Sequence, residues 1–329
     1  MAAPVPPPAL RPGDAVGIAT PSNSIVTPRR LERGVRALTA LGLRPVVGPL
    51  ALAQQPSAAR RAEELNGYLR DPQIRGVFCT IGGYTTNGVL DSLDYSALRR
   101  DPKVVVGYSD ITALLLAVLT RSELMTFHGP TVLPELGEYP APLPYTASSL
   151  MRAVTCPEPL GLLPPSPVYT DQFHAWDEAD DRPRDLRAVA GWRWLNSGDA
   201  TGRLLGGNLE TLCALTGTKY LPSFAGAVLV CETASSQPDQ ISRDLNHLAM
   251  AGVFDDLAGV LFGRAFRVPR EFDQRLDEIV LELFAPLGVP VVTRMHIGHG
   301  DPMLTLPLGA RVRLDSVRRT IEVIDAPVR

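Results

Sequence analysis

Short apolar runs rich in β-branched residues alternate with longer amphipathic segments through the first half of the chain. The apolar runs predict strands at residues 15–20, 44–47, 76–81 and 104–107. Segments with helical spacing separate them, at residues 27–41, 58–69 and after residue 109. Such strands are joined by right-handed crossovers into a mainly parallel sheet. The pattern therefore predicts an α/β domain that binds ligands at the carboxyl ends of its strands.

The pattern is interrupted between residues 134 and 199, where prolines are dense and charged and aromatic residues cluster. It resumes with predicted strands at 226–231, 259–262 and 291–293, helices at 238–251 and 272–284, and short antiparallel strands at 304–306, 311–314 and 320–324. We therefore expect two α/β domains. Residues 1–155 form the first, with a mainly parallel sheet flanked by helices. Residues 156–200 are a linker and long loop, and residues 201–329 form a mixed α/β domain with short β-strands.

The composition excludes several classes of partner and location for this protein. The formal net charge is -3 and no block of Lys or Arg occurs, which argues against a nucleic-acid polymer or an anionic membrane as the partner. No apolar run is long enough to span a bilayer, and the first eight residues lack the regions of a signal peptide. The 4 cysteines are scattered, which predicts free thiols rather than disulfides. We expect a cytoplasmic protein.

Ser109 follows the predicted strand 104–107 and precedes the apolar run 111–119, so it lies where a strand turns into a helix. With Asp110 at the helix cap, the unpaired N–H groups of that helix lie beside the serine. Such backbone donors stabilise a developing oxyanion, which makes the position suitable for a nucleophile. The simpler alternative is that Ser109 and Asp110 only cap the helix.

Two further polar residues follow strand-like runs. Glu232 comes directly after the apolar residues 227–231, and His299 lies in a Gly-His-Gly turn after the strand 291–293. Together with Ser109 they supply a nucleophile, a base and an orienting carboxylate, which is the set that serine hydrolases need.

Other histidines are weaker candidates. His247 is a rival base, but helical spacing places it on a helix surface. His296 and His299 could suggest a metal pair, yet no carboxylate cluster accompanies them, and we expect no metal.

Gly82 and Gly83 close the strand that precedes the serine strand. Glycine lets backbone N–H groups approach a ligand closely, so Gly83 is a candidate for half of an oxyanion hole, with the Asp110 N–H as the other half. A tight turn is the equally weighted alternative. The glycine spacing does not fit a dinucleotide-binding fingerprint, and Ile111 stands where the nucleophile elbow of α/β-hydrolases has its second glycine.

An ordered set of motifs resembles the L,D-carboxypeptidase family of serine peptidases, which includes the microcin C immunity peptidases. The motifs span nearly the whole chain and comprise residues 13–14 (GD), 19–22 (ATPS), 82–83 (GG), 107–110 (GYSD), 202–209 (GRLLGGNL), Glu232 and 298–309 (GHGDPMLTLPLG). The resemblance implies a triad of Ser109 as nucleophile, His299 as base and Glu232 as orienting acid. It also implies two domains with the site between them, a homodimer, no metal or other cofactor, and attack on an amide bond next to a free carboxylate.

The loop after the glycine pair is more similar to the microcin-immunity branch than to members that act on murein peptides. The resemblance implies that Gly82 and Tyr84 bind substrate and that an aromatic side chain stacks on a nucleobase. Trp192 and Trp194 are the candidates, with packing of their own loop as the alternative. The predicted activity is hydrolysis of murein peptides or, as in microcin self-immunity, of a peptide-nucleotide or aminoacyl-nucleotide. The alternative is a non-catalytic two-domain protein that binds a small molecule.

Overall fold

The computed structural model describes residues 3–235, 237–268 and 272–329, which form two main sheets with helices packed around them. The helices are α1 (Pro28–Ala40), α2 (Ala58–Arg70), α3 (Tyr95–Arg100), α4 (Thr112–Ser122), α5 (Pro144–Thr155), α6 (Leu209–Leu215), α7 (Pro238–Met250) and α8 (Asp273–Phe284). The strands are β1 (Ala15–Ala19), β2 (Arg44–Val47), β3 (Ile74–Cys79), β4 (Val104–Gly107), β5 (Thr126–His128), β6 (Gly161–Leu162), β7 (Val168–Tyr169), β8 (Arg187–Ala188), β9 (Arg193–Asn196), β10 (Asp199–Asn208), β11 (Ala227–Glu232), β12 (Gly259–Gly263), β13 (Val291–Met295), β14 (Leu306–Leu308), β15 (Arg311–Asp315) and β16 (Thr320–Val323). None of the helices in these residues has the length and apolar character that crossing a membrane requires.

The first sheet has the strand order β14-β5-β4-β3-β1-β2. Its five N-terminal strands pair in parallel, as the alternating pattern predicted. Every residue of β1 and β4 is buried, because helices cover both faces of a sheet of this kind.

The second sheet has the order β6-β16-β15-β10-β11-β12-β13-β9. Strands β10 to β13 are parallel neighbours, and the outer strands pair antiparallel. Strand β10 has no signal in the pattern of apolar residues, because its glycines leave no periodic arrangement of side chains.

A close contact between β10 and α4 joins the two sheets. Gly207 has a φ of 144° and lies against Thr112, where any side chain would collide with the threonine hydroxyl. That hydroxyl accepts a 3.0 Å hydrogen bond from the amide of Asn208. Asn208 pairs in register with Glu232 of β11, so this contact brings the carboxyl end of β11 beside the start of α4.

Two segments differ from the organisation predicted by chain order. The expected linker, residues 156–200, contributes β6 and β9 to the edges of the second sheet, and β7 pairs with β8. Strand β14, expected among the antiparallel strands of the second domain, pairs with β5 of the first sheet. All three of its residues are buried there, since it covers an otherwise open sheet edge.

Candidate active site

Ser109 lies between β4 and α4 and opens a short 3₁₀ turn, Ser109–Ile111. Its φ of 61° is in the left-handed region, which non-glycine residues seldom adopt and which is concentrated at functional sites. Gly82 packs directly against it, because a methyl group at Gly82 would lie 2.8 Å from the serine Oγ. The backbone that carries the glycine pair therefore lies beside the nucleophile candidate.

The Asp110 side chain does not cap α4, which corrects the sequence prediction. Helix α4 begins at Thr112, after the 3₁₀ turn. The Asp110 carboxylate instead accepts hydrogen bonds from the Ser22 hydroxyl and from the amide and hydroxyl of Thr86, the last two at 2.9 and 2.7 Å. These hydrogen bonds connect the loops after β1 and β3 to the turn that carries Ser109.

Ser109, His299 and Glu232 come together where the two sheets meet. Ser109 Oγ lies 3.0 Å from Nε2 of His299, and His299 Nδ1 lies 2.7 Å from Oε2 of Glu232. Glu232 is the last residue of β11 and is fully buried, whereas His299 lies in the loop after β13. The hydroxyl, the imidazole and the carboxylate are thus in hydrogen-bonding contact in that order.

The surroundings of His299 stabilise its protonated form. Burial alone lowers the pKa of the imidazole, but the charge and hydrogen bond of Glu232, together with the charges of Glu210 and Glu135, raise it above its ordinary value. An opposite charge in direct contact favours the cation by this mechanism. The imidazole is therefore suited to accept a proton from Ser109.

None of the residues behind His299 is among the predicted site residues. The Tyr108 ring packs against the imidazole, and its hydroxyl donates a 2.7 Å hydrogen bond to Glu135. The amide of Thr131 donates to the other carboxylate oxygen of Glu135 at 2.8 Å. Burial and the nearby charge of Asp301 raise the pKa of Glu135.

The segment 156–200 holds the loop that carries His299. Arg184 forms ion pairs with Glu138 at 2.5 Å and with Asp301 at 2.7 Å, and all three side chains are nearly buried. Thr170 and Asp301 also exchange two backbone hydrogen bonds of 2.7 and 2.8 Å. Asp301 is two residues from His299, so these contacts with the segment 156–200 hold the His299 loop in position.

A cleft of about 830 Å³ opens in front of Ser109. The predicted site residues that line it are Gly82, Gly83, Tyr84, Ser109, Asp110 and His299. Glu232 is not part of its wall, because it contacts the buried side of the imidazole. The cleft is also lined by aromatic residues that the sequence does not single out, among them Phe173, Trp176 and Phe266.

Trp192 and Trp194 do not line the cleft, which corrects their expected role in stacking on substrate. Trp194 belongs to β9 and pairs with Val292 of β13. The indole N–H of Trp192 donates to Nδ1 of His296 at 3.3 Å. Both pack the segment 156–200 against the second domain, which agrees with the predicted alternative, and Trp176 is the tryptophan that faces the cleft.

His247 and His296, the two other histidines that the sequence raised as candidates, do not contact Ser109 or Glu232. His247 is exposed on α7, as predicted. His296 is buried, and its pKa is lowered to about 4 by burial and by the charge of Arg264. Across the part of the chain that the structure describes, no group of three or more His, Cys, Asp or Glu side chains could hold a metal ion.

Two family models match the chain. The model of the LD-carboxypeptidase N-terminal domain matches residues 16–129, and that of the LD-carboxypeptidase C-terminal domain matches residues 201–314. The chain belongs to the LD-carboxypeptidase family. The resemblance that the motifs indicated is confirmed, and this family member is a hydrolase of the serine peptidase type.

Its relatives within the LD-carboxypeptidase family cover both branches. The microcin C7 self-immunity protein MccF of Escherichia coli is 30% identical over 95% of this chain and 94% of its own. A Bacillus subtilis protein named a probable murein peptide carboxypeptidase is 31% identical over 98% of this chain and 95% of its own. A solved structure of wild-type MccF matches 99% of this chain and 100% of its own with a TM-score of 0.93 and 28% identity. The predicted two-domain α/β fold is thereby confirmed.

Proposed function

We propose that this protein cleaves an amide bond next to a free carboxylate or a phosphate, with Ser109 as nucleophile, His299 as base and Glu232 as orienting acid. The observation that carries the proposal is the 3.0 Å contact between Ser109 Oγ and His299 Nε2, continued by the 2.7 Å contact to Glu232. A neutral serine is a weak nucleophile and needs an adjacent base that a third group holds in place.

The chemistry follows from these contacts. Ser109 Oγ bonds to the carbonyl carbon of the substrate while its proton passes to Nε2 of His299, and Glu232 stabilises the imidazolium. When the tetrahedral intermediate collapses, the C–N bond breaks and His299 returns the proton to the leaving amine. Water, deprotonated by His299, then hydrolyses the acyl-enzyme ester and frees Ser109.

The oxyanion is stabilised by the N–H groups of Gly83 and Asp110. Gly83 has a φ of 153°, a conformation that favours glycine. A methyl group at the adjacent Gly82 would lie 3.2 Å from the Asp110 nitrogen, so the two backbone segments are close together beside Ser109. Donors in this position stabilise charge as it develops on the carbonyl oxygen.

Among amide substrates, we favour a peptide-nucleotide or aminoacyl-nucleotide. The cleft volume of about 830 Å³ falls within the range of small-molecule sites. One face of Trp176 lies 4.5 Å from the guanidinium of Arg30, and its ring borders the cleft, where a nucleobase can stack. MccF has been solved in complex with aspartyl sulfamoyl adenosine and with glutamyl sulfamoyl guanosine, at 28% identity to this chain.

A murein tetrapeptide is the second candidate. It is supported by the similarity to the Bacillus subtilis protein, which extends over 98% of this chain. Cleavage between its L- and D-centres would release a D-amino acid whose carboxylate adjoins the scissile amide.

The proposal is tested with a panel of both substrates and a serine-directed phosphonate. We expect wild type to cleave one of them and to be labelled at Ser109, and Ser109→Ala to lose turnover and labelling while keeping its melting temperature. Turnover retained in Ser109→Ala would refute the nucleophile. Absence of both cleavage and labelling in wild type would favour the non-catalytic binding protein.

We also propose the homodimer and the cytoplasmic location that the family resemblance implies. Analytical ultracentrifugation of the full chain and fractionation of the source cells test them separately from the activity.

A further inference from the structure

Of the residues that the structure describes, three arginines line the cleft, and two of these form ion pairs within the protein. Arg30 donates to Asp180 at 2.9 Å, and Arg184 pairs with Glu138 and Asp301. Their guanidinium groups therefore already bind carboxylates of the protein.

Arg267 differs from these two. Among the side chains that the structure describes, no ion pair includes Arg267. The side chain is exposed to the cleft. Its guanidinium carbon lies 5.0 Å from the centre of the Phe173 ring and 5.2 Å from that of Phe266. Cation–π contacts restrict a guanidinium without cancelling its charge, so Arg267 presents a positioned positive charge to a ligand.

The backbone supports a binding role for this position. Arg267 has a φ of 54°, a left-handed conformation that costs energy for a side chain of this size. Strain of this kind persists where the surroundings impose it and is concentrated at ligand-binding and active sites.

The location of Arg267 relates it to one side of the scissile bond. The ring of Phe266, its neighbour in the chain, lies 5.9 Å from the His299 ring, centroid to centroid. In the proposed mechanism His299 returns a proton to the leaving amine, so the leaving group lies on the imidazole side of the cleft. An anionic group attached to that amine faces the same wall as Arg267.

We propose that Arg267 binds the anionic group that adjoins the scissile amide on its leaving side. That group is the carboxylate of a C-terminal D-amino acid in a peptide, or the phosphate in a peptide-nucleotide. Both accept charge-assisted hydrogen bonds from a guanidinium. This assignment rests on the proposed function and adds the residue that selects for the anion.

The test compares charged substrates with neutral twins. The pairs are a murein tetrapeptide with its C-terminal amide, and an alanyl adenosine phosphoramidate with its phosphate methyl ester. Arg267→Met removes the charge and keeps a flexible apolar side chain between the two rings. Arg187→Met is the matched control, because Arg187 also lies over an aromatic ring, that of Tyr169 at 5.0 Å, but outside the cleft.

We expect Arg267→Met to lower kcat/KM for the charged member of the pair that the enzyme uses by about 10- to 100-fold, mainly through KM, as for loss of a hydrogen bond to a charged group. The neutral twin should change by less than about threefold, and Arg267→Lys should restore part of the loss. Equal losses on both twins would assign Arg267 a structural role and overturn the inference. The pair that responds identifies the carboxylate or the phosphate as the source of the anion.

Calorimetric titration in the Ser109→Ala background separates this inference from the proposed hydrolysis. If wild type cleaves a substrate but Arg267→Met leaves its preference for the charged twin unchanged, the anion site is wrong and the hydrolase stands. If wild type cleaves nothing while Arg267→Met still weakens binding of the charged ligand, the hydrolase is wrong and the anion site stands. If neither effect occurs, both are wrong.

Discussion

The Tyr108 ring packs edge-on against the His299 imidazole, with ring centroids 5.0 Å apart and planes inclined by 63°. The hydroxyl of the same tyrosine donates a hydrogen bond to the buried carboxylate of Glu135. Tyr108 therefore contacts the candidate base through its ring and a titratable acid through its hydroxyl.

Tyr108→Phe should shift the pH dependence of activity. The hydrogen bond from Tyr108 lowers the pKa of Glu135, so its removal raises that pKa and favours the neutral acid. A neutral Glu135 no longer raises the pKa of His299. Because His299 acts as a base only when it is deprotonated, we expect the acidic limb of the kcat/KM profile to move to lower pH. Initial rates across the neutral range measure this.

Tyr95→Phe is the control for that experiment, since the Tyr95 hydroxyl donates to the carbonyl of Leu90, away from the cleft. A shift of the acidic limb to higher pH, or an equal shift in the control, would show that Tyr108 does not act through Glu135.

Glu232→Gln should leave the fold intact and lower kcat by about 10³- to 10⁴-fold, the loss seen when the orienting acid of a serine triad becomes an amide. An amide neither stabilises the imidazolium nor favours the tautomer that leaves Nε2 free to accept the serine proton. The pKa of His299 should fall, because Glu232 makes the largest of the contributions that raise it. Stopped-flow rates and the NMR titration of His299 check both effects.

The exposed residue Glu282 on α8 provides the matched substitution, Glu282→Gln. Near-normal turnover in Glu232→Gln, or a comparable loss in Glu282→Gln, would be incompatible with the role given to Glu232.

The contact among Ser109, Glu232 and His299 could be expected from the sequence for a physical reason. Ser109 and Glu232 each follow an uninterrupted apolar run that ends at the carboxyl edge of a parallel sheet, and His299 lies in the loop after such a strand. Strand polarity therefore places each of these side chains at the carboxyl edge of its own sheet. The register between the two sheets, set by Gly207 and Thr112, has no counterpart in a local pattern.

The walls of the cleft could not be predicted in the same way. The segment 156–200 has no regular periodicity, so nothing in the sequence distinguishes Trp176, which faces the cleft, from Trp192 and Trp194, which do not. The Trp176 ring contacts Arg30, a residue of α1 that is distant along the chain. The pairing of β14 with β5 could not be predicted for a related reason, because it joins residues that are about 180 positions apart in the chain.

Gly82→Ala should reduce activity by about 10²-fold or more, the scale of losing an oxyanion donor. The added methyl group would lie 2.8 Å from the Ser109 side chain, so the serine or the glycine loop must move. Gly67→Ala is the control, since Gly67 is exposed within α2 and has no atom within 4 Å of the added carbon. We expect that variant to keep its activity and gain about 0.5–1 kcal/mol of stability. Equal activity in the two variants would contradict the close approach at Gly82.

Arg184→Met should destabilise the protein by about 3–5 kcal/mol at neutral pH, because it leaves Glu138 and Asp301 as buried carboxylates without their counter-charge. Burial already raises the pKa of Asp301, and Arg184 opposes that effect, so its removal raises the pKa further. When the pKa of a carboxyl is higher in the folded than in the unfolded state, the protein loses stability as the pH rises and that carboxyl ionises. The loss should therefore be larger at pH 8 than at pH 5, as measured by urea unfolding.

Adding Asp301→Asn to Arg184→Met should recover part of this loss, because the double variant buries one carboxylate fewer. Arg318→Met, an exposed side chain in the turn after β15, should change stability little at either pH. The double variant should also turn over substrate faster than Arg184→Met alone if the ion pairs act by holding the His299 loop. A loss of stability that does not depend on pH, or strictly additive effects of the two substitutions, would contradict this account. Either result would mean that Arg184 stabilises the segment 156–200 through packing rather than through the charges of Glu138 and Asp301.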